Sequence, residues 1–191
     1  MLGKQAKIVS PTTIRRMLNY ARHTRYPKRD TVIVLLSVKA GMRACEIAGL
    51  QWSMVMTDAG KISDVIEIRT AIAKRGSGRR VPMHPDLQRA LLAHWRDRPS
   101  DDHVVASNRG GPMRPNSIVN WFVVMFAELG IDGCSSHSGR RTFITAAAKN
   151  VHRTGGSLRD VQMLAGHQSI ETTQRYIDGD TSSQRRLVRL I

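Results

Sequence analysis

The stretch Leu164-Ala165-Gly166-His167-Gln168-Ser169-Ile170-Glu171-Thr172-Thr173-Gln174-Arg175-Tyr176 places a histidine and a tyrosine nine residues apart. In one unbroken helix that spacing is about 2.5 turns, which puts the two side chains on opposite faces. Ser169 is a good N-cap, so the pattern predicts a helix over 169–177 that starts after His167. A turn at Gly166-His167-Gln168 then lets imidazole and phenol approach one point. By itself the segment favours a plainer reading, a half-buried core tyrosine beside a capping histidine.

Upstream lies His137-Ser138-Gly139-Arg140-Arg141-Thr142-Phe143. His137 and Arg140 are three apart and share a helical face. A guanidinium grips two phosphate oxygens in its fork, and an imidazole can donate or shuttle a proton. A solvated basic helix start explains the same residues equally well.

Further back, Gly41-Met42-Arg43-Ala44-Cys45-Glu46-Ile47 puts an arginine at a helix start, where the dipole prefers an anion. A phosphate bound at that N-terminus turns the conflict into attraction. Glu46, one turn on, can hold the guanidinium; an ordinary Arg–Glu surface pair is the alternative. Between these segments, Val65–Arg69 and Arg79–Pro82 read as strands. Lys74-Arg75-Gly76-Ser77-Gly78 forms the basic turn between them. Such a hairpin suits contact with DNA phosphates through Arg75, Arg79 and Arg80, and Arg141 joins that set.

Around these motifs the chain is helical. Ser10-Pro11 opens a helix ending near Tyr26-Pro27, and an apolar helix runs from about Asp30 to Lys39 with Gly41 as terminator. Arg43–Leu50 follows as a short helix. Helices are also expected from Pro85 to about Asp97, from Pro115 to Gly130, and over 138–150 and 157–165. A polar loop fills Arg98–Gly111. The expected class is mainly α with one small antiparallel β-sheet (α+β).

The 191 residues carry 30 Lys+Arg against 15 Asp+Glu, a formal charge of +15. A globular domain this basic calls for a polyanion, which points to nucleic acid. The longest apolar run, Val32–Leu36, is far short of the roughly 20 residues of a membrane span. Cys45 and Cys134 form no disulfide framework and no Cys-x-x-Cys pair. A cytoplasmic, metal-free protein with no cofactor is expected.

Four segments in this order resemble the catalytic domain of the tyrosine recombinase (phage integrase) family. They are Gly-Met-Arg-x-x-Glu-Ile, the basic hairpin ending Arg-x-Val-Pro, His-x-x-Arg-x-Thr-Phe, and Leu-x-Gly-His with Tyr nine residues on. The likeness runs from about Arg29 to Ile177. It implies a lead-in helix over 1–28, a catalytic domain over 29–177 and a tail over 178–191. It also implies that the helical core-binding domain preceding the catalytic domain in typical members is absent, as in the compact fimbrial recombinases.

What the resemblance implies for the chemistry is a metal-free transesterification. Tyr176 is the nucleophile, Arg43 and Arg140 bind the non-bridging oxygens, and Lys74 protonates the leaving 5′-oxygen. His137 accepts the tyrosine proton, His167 hydrogen-bonds the phosphate, and Glu46 supports. The implied partner is double-stranded DNA, bound by a homo-tetramer of chains that are monomers in free solution, with accessory DNA-bending or helper proteins. Leu187, Val188, Leu190 and Ile191 can be donated to a neighbour or fold back. Two other tasks fit the same residues: a type IB topoisomerase-like relaxing activity, and a non-cleaving DNA-binding regulator.

Overall fold

Proline positions fix where the first helices begin. In the computed structural model, which describes residues 6–73, 76–97, 102–176 and 188–189, helix α1 spans Pro11–Arg22. Its N-cap Ser10 accepts a hydrogen bond from Thr13 N through Oγ. Helix α2 spans Pro27–Lys39. Pro27, expected to lie at the end of the first helix, instead occupies the first turn of the second, where its missing N–H costs nothing.

The chain divides into two units, residues 1–143 and 144–191. In the first unit α2 is central and packs against α1, α4 (Pro85–Trp95) and α3 (Ala44–Gly49). Val32, Ile33, Val34 and Leu36 are all fully buried, so α2 is enclosed on every side. Helix α5, Pro115–Glu128, packs on α3 and buries Ile118, Phe122, Met125 and Phe126.

Strands β1 (Val65–Ile68) and β2 (Arg79–Pro82) pair antiparallel, with Ile66 opposite Val81 and Ile68 opposite Arg79. The alternation turns Ile66, Ile68 and Val81 inward. Lys74 and Arg75, read from sequence as part of the turn between these strands, lie outside the described residues.

The expected polar loop before α5 departs from its composition. Val104, Val105 and Ala106 are buried. Gln51 bridges to His103 and Ala106 to Pro112 in antiparallel fashion, and the buried His94 ring meets Val104 O at 2.8 Å through Nε2. Arg29 reaches Ala106 O and Asn108 Oδ1 and pairs with the buried Asp30 at 2.8 Å. Pairing with α2 draws a stretch that reads as loop into the core.

Helix α6, Ser138–Asn150, contains the boundary between the units. In the second unit a 3-10 turn, Val151–Thr154, is followed by α7, Leu158–Ala165. Gly166 ends α7 in the left-handed region, φ 62°. Helix α8 is shorter than the expected 169–177, covering Ile170–Gln174. Of the tail after Tyr176 only Val188 and Arg189 are described, and Val188 is exposed; Leu187, Leu190 and Ile191 lie outside the described residues.

Candidate active site

In the first unit, Glu46 is fully buried and organises two arginines. Its Oε1 accepts from Arg43 Nη1 and Arg79 Nη1, each at 2.8 Å. Its Oε2 accepts from Arg79 Nη2 at 3.0 Å and from the Arg43 backbone N–H at 2.8 Å. Burial alone pushes the Glu46 carboxyl up. The Arg79 fork and charge, then the Arg43 N–H and charge, outweigh it and bring the pKa from 4.5 down to about 2.

This geometry alters two expectations. The start of the six-residue α3 takes its anion from Glu46 inside the protein, so the Arg43 N–H is already satisfied. Arg79, expected to contact DNA, has a side chain only 4% exposed and turned onto Glu46. Its position opposite Ile68 in the hairpin register brings it there. Arg80, one residue on, faces outward in an exposed pair with Glu67 at 3.4 Å.

Arg140 comes to the same region from α6. It is buried and donates from Nη1 to Gly41 O at 2.6 Å, two residues before Arg43. Two glycines permit the approach. A Cβ on Gly139 would stand 2.1 Å from Ser37 Oγ, and one on Gly41 would stand 2.4 Å from Phe143 Cδ1. Gly41 also adopts φ 62°, which side-chain-bearing residues rarely take.

His137 stands just before α6 and is exposed. Its N–H donates to Ser135 Oγ and its carbonyl accepts from Arg141 N. Arg141, read as a DNA contact, is half-buried and donates to Ala6 O at 2.9 Å, while neighbouring Thr142 Oγ1 accepts from Val9 N. Arg141 thus helps to pin the segment that leads into α1.

The second unit brings His167 and Tyr176 together. Their rings stack with centroids 5.6 Å apart and planes at 23°. His167 N donates to Gln162 O and Gln162 Nε2 donates to His167 O, which locks the turn after Gly166. The imidazole Nδ1 meets Thr173 Oγ1 at 2.9 Å, and Thr173 is fully buried. Thr173 and Gln162 were not singled out from sequence. The signal for Thr173 was its place three residues before Tyr176, on the same helical face.

The chain is similar to known proteins along nearly its whole length. The profile described as "Phage integrase family" matches residues 7–182. A tyrosine recombinase XerC of Xanthomonas campestris pv. campestris is 28% identical over 151 residues, 78% of this chain and 44% of that protein. The Corynebacterium efficiens XerC is 32% identical over 167 residues, 84% and 49%. The chain therefore spans about half the length of the curated relatives it matches. Among solved structures, XerA recombinase superposes with TM-score 0.74 at 24% identity, over 100% of this chain and 65% of that one. The Tn1549 transposon integrase, solved with a circular intermediate DNA, gives TM-score 0.78 at 15% identity, over 100% and 67%. These likenesses show a tyrosine recombinase catalytic-domain fold, mostly helical with a two-stranded antiparallel sheet.

Proposed function

Because the chain belongs to the phage integrase family, we propose that it cuts and rejoins DNA at specific sites through a covalent bond between Tyr176 and a DNA phosphate. The observation that carries this reading is the stacked pair of His167 and Tyr176, with His167 held by Thr173.

In this reading the Tyr176 hydroxyl attacks phosphorus, a P–O bond to tyrosine forms, and the bond to the 5′-oxygen breaks. His137 takes the phenolic proton and Lys74 gives a proton to the leaving 5′-oxygen. Arg43 and Arg140 bind the non-bridging oxygens, where fixed forks act on charge that grows in the transition state. Their anchoring on Glu46 and Gly41 O supports that role, because preorganised donors need no rearrangement during reaction. His167 hydrogen-bonds the phosphate. No metal or cofactor has a part in the step. The phosphotyrosine conserves the bond energy, so religation by the 5′-hydroxyl needs no nucleotide.

The charge of +15 supports double-stranded DNA as partner. Solved neighbours include a lambda integrase dimer bound to a core site and XerH bound to its difH substrate. Arg75 and Arg80 are assigned to DNA phosphates. Assembly as a tetramer on DNA, help from DNA-bending proteins and work at the bacterial nucleoid belong to the same proposal.

A nicked suicide duplex built from the DNA flanking the gene tests it. Incubation followed by a denaturing gel is expected to show a covalent protein–DNA band that Tyr176→Phe abolishes. DNA binding without any such band supports a non-cleaving regulator instead.

A further inference from the structure

The basic charge of this chain is concentrated at one end. Eight of its 30 Lys+Arg and none of its 15 Asp+Glu fall in residues 1–29, so this stretch holds +8 of the net +15. The resemblance-based site uses none of these residues.

Helix α1 carries three of them, Arg15, Arg16 and Arg22, on one face. Met17 and Ala21 are buried, while Thr12, Arg15, Arg16, Asn19, Arg22 and His23 are exposed. The spacing 12, 15, 16, 19, 22, 23 follows the helical repeat, so these side chains form a stripe about 16 Å long. Arg25 extends it beyond the helix end. Two shallow hollows run beside it against the end of α5, sharing Asn19 and Leu129.

The charges on this stripe are not neutralised within the fold. Among the described residues Arg15, Arg22 and Arg25 enter no ion pair; Arg15 bonds Thr12 Oγ1, and Arg25 lies over the Tyr26 ring at 5.4 Å. Arg16 differs, because it donates to Leu129 O at the end of α5 and anchors the helix. Burial, and then the neighbouring Glu128 carboxylate at the rim, push the Tyr20 phenol up. Like charges along a helix repel and lower stability, so an unpaired stripe of this kind is matched by an external polyanion.

Guanidinium, hydroxyl and amide groups are among those that contact phosphates, and apart from His23 the stripe consists of them. Protein interfaces instead place aromatic or large apolar anchors at their centre. Among the described residues the exposed large apolar side chains, Ile8, Leu92, Val123, Val124, Met163 and Val188, lie off α1.

We propose that the outward face of α1, through Arg15, Arg22 and Arg25, is a second DNA surface that grips backbone phosphates outside the cleavage site. It rests on the reading of the protein as DNA-binding.

The test measures affinity for a duplex of unrelated sequence by fluorescence anisotropy over a range of salt. The variant Arg15→Gln/Arg22→Gln/Arg25→Gln is compared with a charge-matched control, Lys61→Gln/Arg96→Gln/Lys149→Gln. Each lost phosphate contact lowers the log–log slope by about 0.9, so the stripe variant is expected to lose about 2.7 and the control well under 1. Covalent complex formation at saturating DNA is expected to stay unchanged. A stripe variant with the unsubstituted slope, or one equal to the control, overturns the proposal and leaves an acidic protein as the partner to seek. A flat salt response of the unsubstituted protein overturns DNA binding itself.

Discussion

Glu46 grips Arg79 with both carboxylate oxygens, at 2.8 and 3.0 Å, although the two residues lie 33 positions apart. The same carboxylate holds Arg43, so a strand residue and a loop residue are fixed by one buried acid. A surface ion pair of this length contributes little, but this one is out of water, and removing one partner strands the others.

Glu46→Gln keeps the shape and removes the charge. It takes the facing carboxylate charge away from the Arg79 guanidinium, whose side chain is 4% exposed. A loss of about 3–5 kcal/mol is expected, read as a lower midpoint in urea unfolding. A midpoint within error of the unsubstituted protein contradicts the role given to this carboxylate.

The same residue sets an acid limit on stability. Its folded pKa of about 2 lies below the ordinary 4.5. A depressed carboxylate stabilises above its unfolded pKa and loses that contribution as pH falls through the folded one. The window therefore runs from about pH 4.5 down to 2, with on the order of 3 kcal/mol at stake. Thermal unfolding across this range is expected to fall steeply for the unsubstituted chain and less steeply for Glu46→Gln.

Gly139 and Ser37 form the closest approach beneath Arg140. A Cβ at Gly139 meets Ser37 Oγ at 2.1 Å and Ser37 Cβ at 3.0 Å. Among the described residues, buried Ser37 Oγ has no hydrogen-bond partner. Gly139→Ala is expected to cost about 1–3 kcal/mol through overpacking. Ser37→Ala alone is expected to be neutral or stabilising, and to recover about half the loss in the double variant. Additive losses in that double-mutant cycle speak against the contact.

Thr173 acts through His167. Thr173→Val removes the hydroxyl that meets the imidazole and keeps the volume. Covalent complex formation is expected to slow roughly tenfold, as for one lost hydrogen bond, with DNA affinity unchanged. Thr173→Ser restores the rate, and the pH profile of the valine variant shifts. An unchanged profile makes the threonine a packing residue only.

Much of the fold is legible in the chain because its signals are local. Ser10-Pro11 and Pro115 mark helix starts, Gly41 and Gly166 mark helix ends, and Ile66, Ile68 and Val81 alternate as strand residues must. The turn at Gly166-His167-Gln168 was also readable, and the stacked rings of His167 and Tyr176 follow from it. The burial of Val104–Ala106 was not, since that stretch looks polar until α2 supplies its partners.

The sequence alone, then, determined which residue types recur in which order, the helix and hairpin positions, and the approach of His167 to Tyr176. All of these depend on contacts within a few residues or on one turn. Tertiary structure decided how the arginines divide their work. Arg79 faces Glu46, Arg140 reaches Gly41 O 99 residues away, and Arg141 holds Ala6 O 135 residues away. An arginine's composition and spacing are the same whether its fork meets a carboxylate inside or a phosphate outside. Only the burial of its partner separates the two, and that burial is set by packing between segments far apart in the chain.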